Sequence, residues 1–161
     1  MLSGLGWRAG EPWLVEVSLP AQFDWALSGL NNRQAIPQWQ ALGVTARQGV
    51  LPAGRDAALL LPQGHKGPAF LAYPNFNVYF EWNQSFTYVL TAAYFATRLR
   101  GAPVFDAGTP DPGLDDAQMK QLQTRLQSRG HEVGGIDGIL GAGTRAAVRV
   151  EQARLGLPID G

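Results

Sequence analysis

The stretch AALLLPQGHKGPAFLAYPNFNVYFEWNQSFTYVL, residues 57–90, decides how this chain folds. Two apolar runs, 57–61 and 69–73, are each closed by a proline, and the Gly/Pro-rich segment Pro62–Pro68 between them suits a hairpin with a long loop. From Asn75 the period changes. Phe76, Tyr79 and Phe80 stand at i, i+3 and i+4, and Tyr88, Thr91, Ala92 and Phe95 repeat the pattern, so helices are predicted on both sides of Trp82-Asn83-Gln84-Ser85. An amide pair and a hydroxyl in the middle of an aromatic run call for a capping or a binding role.

Working outward, residues 11–19 read as a third short strand ending at Pro20, and Phe23 to Leu30 and Ile36 to Leu42 as short helices stopped by Gly or Asn. Every Trp, Tyr and Phe lies at or before Phe105, which argues for two modules. Between them, residues 101–113 hold three prolines and three glycines and resist regular structure. The expected organisation is a first module over 1–105, a linker over 106–113 and a second module over 114–161. In the second, Asp115 or Asp116 caps a helix with Met119, Leu122 and Leu126 on one face, ending at Gly130. Thr144 is predicted to cap another helix carrying Ala147, Val148 and Leu155 and ending at Gly156. The turn between them, 134–144, lacks the Gly-Lys-Ser/Thr end of a phosphate-binding loop, and nucleotide binding is rejected. Ile-Asp-Gly recurs at 136–138 and 159–161.

Composition excludes several classes of function. The 161 residues, 45% hydrophobic, suffice for one sizeable core or for a moderate core plus a satellite. Thirteen basic residues balance thirteen acidic ones, so no net field favours nucleic acid or an anionic membrane. Cysteine is absent, which removes disulfides and thiolate metal sites. No signal peptide is visible, and the longest apolar run, Phe86 to Ala96, is too short to span a bilayer. His65 and His131 stand isolated; neither is given a role, and no metal or cofactor is expected.

The segment Leu122 to Gly161 resembles the peptidoglycan-binding domain found at the ends of many cell-wall hydrolases. The likeness rests on Leu122-Gln123, Leu126, Gly130, Ile136-Asp137-Gly138, Gly141, Thr144, Ala147-Val148, Gln152 and Gly156-Leu157-Pro158-Ile159-Asp160-Gly161. Glu151 departs from it, standing where that family usually has a core aromatic, and the sequence stops before the usual closing segment. An unpaired buried carboxylate costs several kcal/mol, so this truncated module is expected to be only marginally stable.

GWRAGEPW (6–13), NNRQAIPQWQALGV (31–44), LLLPQGHKGPAFLAYPNFNV (59–78) and EWNQSFTYVLTAAYFATRL (81–99) together resemble the C-terminal part of the B-type, membrane-bound lytic transglycosylase B-like murein transglycosylases. The implied fold class is α+β: a small β-sheet subdomain plus helices, part of a lysozyme-like lytic transglycosylase fold, and then a small all-α peptidoglycan-binding module. The resemblance implies a periplasmic or envelope location, peptidoglycan glycan strands as partner, and cleavage of MurNAc-GlcNAc bonds to 1,6-anhydromuropeptides by the complete enzyme. It also gives the polar break a role: Asn83 and Tyr88, with Trp82 beside them, are the expected substrate-binding residues. Amides match the donors and acceptors of N-acetyl and hydroxyl groups, and aromatic faces pack on the apolar faces of sugar rings. The competing structural role has Ser85 capping a helix, Trp82 and Tyr88 in the core, and Asn83 serving nearby backbone.

Glycosidic cleavage needs a carboxylic acid whose pKa is raised by an apolar setting. The resemblance places the family's catalytic glutamate in a helical region that residues 1–161 do not contain, so no catalytic residue is assigned. Glu11 and Glu16 sit at the first strand and Asp24 at a helix start. Glu81 adjoins the sugar-facing segment, yet a solvated carboxylate at a helix start is its ordinary role. Three readings follow: a partial transglycosylase inactive by itself, a chain completed by a glutamate lobe, or a non-catalytic wall-anchoring or regulatory module using residues 114–161 alone. Exposed apolar surface is expected where the missing lobe would pack, and it would favour self-association.

Overall fold

The computed structural model describes residues 4, 6–82 and 85–161. Five antiparallel strands form one sheet in the order β2-β4-β5-β1-β3: β1 (Leu14–Ser18), β2 (Arg33–Ala35), β3 (Thr45–Ala46), β4 (Asp56–Leu60) and β5 (Ala69–Ala72). The predicted hairpin is its centre, with Leu59 opposite Leu71 and Leu60 opposite Phe70. Side chains alternate between faces along a strand, and here both faces are covered. Ala57, Leu59, Leu61, Ala69, Leu71 and Tyr73 point to one core, Leu60, Phe70 and Ala72 to the other. That is why these strands read as unbroken apolar runs instead of alternating ones.

The first core is closed by α1 (Ile36–Ala41), whose Trp39 is fully buried and donates its indole N–H to the Ala57 carbonyl at 2.9 Å. Tyr73 is anchored there too, its hydroxyl donating to the Pro52 carbonyl while burial pushes its pKa up to about 12. The opposite core is closed by α2 (Pro74–Trp82) and α3 (Phe86–Leu99), through Phe76, Val89 and Ala93. Asn75, at the start of α2, is buried because its amide ties the N-terminal segment down, donating to the carbonyls of Arg8 and Glu11 and accepting from Arg8 N–H.

Five strands stand where three were expected. Strands β2 (Arg-Gln-Ala) and β3 (Thr-Ala) are short edge strands without an apolar period, held by pairing to β4 and β1. The helix expected over Phe23 to Leu30 is a single 3-10 turn, Trp25–Leu27, capped by the Asp24 carboxylate and stopped by extended backbone at Ser28.

The second module is α4 (Asp116–Ser128) and α5 (Ala142–Leu155) around a small core of Leu126, Val133 and Ala147. Asp115 caps α4 in a reciprocal box with Gln118, as the sequence suggested. Thr144 does not cap α5, which starts behind Gly141; its buried hydroxyl accepts from the Gln123 amide and donates to the Val133 carbonyl. Glu151 is not an unpaired buried carboxylate. Arg129, Arg154 and His131 surround it, and the bond with His131, followed by that with Arg154, draws its pKa down to about 2.

The segment between the modules contains no helix or strand, yet it is fastened. Phe105 packs edge-on against Tyr94 and Phe70, Asp106 N–H donates to Glu16, and Thr109 N–H donates to the Lys66 carbonyl.

Candidate functional site

The break between α2 and α3 is where the sequence placed its binding residues. Trp82 ends α2, and Asn83 lies outside the described residues. Beyond them Ser85 caps α3, its hydroxyl accepting from Tyr88 N–H at 3.4 Å. Tyr88, on the first turn of α3, is 51% exposed. The capping role and the exposed aromatic therefore coexist, and Tyr88 is not a core residue.

Beside this break the two modules enclose a cleft of about 590 Å³. Phe80, Phe86, Asn31 and Asn32 line it from the first module, and Arg145 and Arg149 line it from the second. The arginines are already engaged. Arg145 lies over the Phe86 ring at 5.0 Å and donates to the carbonyls of Pro62 and Gly161. Arg149 donates to Ser28 Oγ and to the carbonyls of Ala26 and Ile159. Burial lowers the pKa of both guanidiniums, with Asp160 acting in the opposite sense.

His65, given no role from the sequence, completes the junction: its backbone N–H and its Nδ1 both meet Asp160 Oδ2, at 2.9 and 2.6 Å. Burial pushes Asp160 up, but the His65 bonds and the Gln152 amide outweigh it and leave the carboxyl below its usual range. Gly64 precedes His65 at φ +74, and a Cβ there would lie 2.9 Å from Asp160 Oδ2, so the docked turn needs a glycine. Sequence reading missed this junction. Its one visible trace is the pair Arg145 and Arg149, four residues apart and hence on one face of α5.

A general acid for sugar chemistry needs a raised pKa. Among the described residues, the four carboxyls whose surroundings move them all move down: Glu11 bound by Arg55, Asp137 by the Ile139 N–H and the Gln123 amide, Glu151 by His131 and its arginines, and Asp160 as above. Glu81 is an exposed residue on α2. Among the described residues no group of three or more His, Asp or Glu could hold a metal, and no helix is long and apolar enough to cross a membrane.

Comparison with known proteins matches both modules. The family described as "Transglycosylase SLT domain" matches residues 1–97, and the "peptidoglycan binding domain" family matches residues 115–161. Two crystal structures of SltB3 from Pseudomonas aeruginosa, in complex with NAG-NAM-pentapeptide and with NAG-anhNAM-pentapeptide, superpose with a TM-score of 0.81 at 42% identity. They cover 99% of this chain, which spans 44% of theirs. A spore cortex-lytic enzyme of Bacillus cereus is 34% identical over 64 residues, 40% of this chain and 25% of that enzyme.

Proposed function

Because this chain belongs to the transglycosylase SLT domain family, we propose that it binds peptidoglycan glycan strands as the C-terminal portion of a B-type lytic transglycosylase, with a peptidoglycan-binding module docked on it. The observation that carries this is the contiguous match of both modules, in one docked arrangement, to SltB3, which was solved with a NAG-NAM-pentapeptide. Residues 1–105 supply part of a saccharide groove and residues 114–161 the module, with 106–113 between them. Trp82, Asn83 and Tyr88 hold the glycan: the amide pairs with N-acetyl and hydroxyl groups, and the exposed Tyr88 ring offers a face to a sugar.

Cleavage to 1,6-anhydromuropeptides belongs to a complete enzyme in which sequence outside residues 1–161 supplies the acid. The carboxyls lowered here are tuned for ion pairing, the reverse of a leaving-group acid. The outer face of α3 toward its C-terminal end, where Phe95 and Leu99 are exposed one turn apart, is the surface on which such a lobe would pack, and without it the surface favours self-association. The work of the protein is then at the cell wall, in the periplasm or envelope.

Co-sedimentation with purified sacculi and with peptide-free glycan strands tests the reading. Binding of both, with Asn83→Ala and Tyr88→Ala weakening the strands, is expected. Binding of sacculi that neither substitution changes would leave only the anchoring role of residues 114–161, and absence of binding would overturn the proposal.

A further inference from the structure

The second module builds the same clamp twice. In the first, Gln123 on α4 donates its amide N–H to Asp137 Oδ1 at 3.0 Å and accepts from Gly138 N–H at 2.9 Å. In the second, Gln152 on α5 donates to Asp160 Oδ1 at 2.6 Å and accepts from Asp160 N–H and Gly161 N–H at 3.2 and 3.0 Å. Each clamp holds an Ile-Asp-Gly turn with its glycine at nearly the same left-handed angle, φ +81 at Gly138 and φ +78 at Gly161. The intervening loops differ in length, so the shared geometry belongs to the clamp itself.

The two turns differ in what their outer oxygen does. Asp160 Oδ2 is occupied: it takes the backbone N–H and a side-chain ring nitrogen of one residue, His65. Asp137 Oδ1 is used by the Gln123 amide and Ile139 N–H, and the residue's own N–H also serves the carboxyl, while Oδ2 takes no donor from another of the described residues. Its carboxyl is held below the usual range, so it is ionised at neutral pH. Apolar side chains flank it and face solvent, Ile136 at 42% and Ile139 at 63% exposure. The nearest cation, Lys120, is paired with Asp116.

We propose that the first Ile-Asp-Gly turn is the open counterpart of the docked one and binds the peptide stem of peptidoglycan, Asp137 Oδ2 accepting the amide N–H and the side-chain amine of one diamino-acid residue. Asp160 shows this carboxylate geometry receiving that donor pattern from a single residue. The ionised oxygen favours a cationic amine over a neutral group, and the exposed Ile136 and Ile139 offer apolar contact to small side chains on either side of it. The proposal rests on the peptidoglycan-binding reading and names the element of the polymer that the second module recognises.

Amide NMR titration of the full chain tests it with three probes: NAG-NAM-pentapeptide, NAG-NAM without peptide, and the pentapeptide compound with its side-chain amine acetylated. The first is expected to shift the Gly138 and Ile139 amides, the second to leave them in place, and acetylation to weaken binding on the order of ten-fold, as loss of a charge-assisted bond does. Asp137→Asn keeps an amide oxygen for the clamp and replaces Oδ2 by a donor; it should weaken the pentapeptide on the order of ten-fold. Ile139→Ser, at an exposed position, should weaken it less while leaving the fold intact. Equal affinity of Asp137→Asn and the wild type, or shifts mapping away from 136–139, would overturn the inference. So would concentration-dependent shifts at these residues without any probe, which would assign the turn to a second copy of the chain. If sacculi still bind while Asp137→Asn has no effect, this inference alone fails. If sacculi do not bind at all, the peptidoglycan-binding reading fails with it.

Discussion

The two modules are held together by opposite means. The first buries aromatic and aliphatic side chains on both faces of a sheet, with Trp39, Leu59, Leu71, Tyr73 and Phe76 fully enclosed. The second has a small apolar centre of Leu126, Val133 and Ala147, with Leu122 and Val148 packed against it, and is knitted by side-chain hydrogen bonds of Gln123, Thr144, Gln152 and Glu151. A module too small for a large core can hold its loops by satisfying polar groups, provided that each finds its partner.

That contrast is most easily broken at Trp39. Trp39→Ala removes a fully buried ring and its bond to Ala57, and should cost ~3–5 kcal/mol of first-module stability in chemical denaturation. Next in size is Gln123→Ala. It leaves the Gly138 N–H and the Ile139 carbonyl without their Gln123 partner, at about 1–3 kcal/mol for each group left unsatisfied. If the modules are held as described, hydrogen exchange will show residues 116–161 losing protection while β4 and β5 keep theirs; uniform loss would mean one shared cooperative unit.

Arg149→Ala probes the junction between the modules. Its bonds to Ser28 and Ala26 are lost, a cost of ~1–3 kcal/mol in docking. Exchange should rise at Ala26, Ser28 and His65 without either module unfolding, and unchanged exchange there would show that the junction does not depend on the arginine.

The smallest effect is acid dependence at Glu151. Its folded pKa, about 2, lies below its ordinary 4.5, so the stabilisation is present above pH 4.5 and is lost as pH falls toward 2. Glu151→Gln should flatten the acid limb of the second module's stability curve in this window; an unchanged limb would show that the cluster contributes nothing there.

What the sequence made legible follows the same division. The hairpin was readable because its two apolar runs are each closed by a proline, and α2, α3 and α4 because their apolar spacing is local; the register and the burial of both sheet faces came only with the structure. Strands β2 and β3 were not readable, since their pairing comes from neighbours distant in sequence. Glu151 was expected to harm the module. Its three partners come from the end of α4, the loop after it and α5 itself, a convergence that no local pattern encodes. The junction of His65 with Asp160 joins residues 95 positions apart and was likewise hidden. At the candidate site, Ser85 caps α3 and Tyr88 is exposed, while the binding roles of Trp82, Asn83 and Tyr88 rest on family resemblance.

The proposed function has this chain bind murein while sequence outside residues 1–161 supplies the acid. Incubating the purified protein with peptidoglycan sacculi, then measuring both the protein retained and the soluble products by mass spectrometry, tests it most directly. Retention with no released 1,6-anhydromuropeptides is predicted; release of anhydro products by residues 1–161 alone would contradict the account and make Glu81 the first residue to substitute.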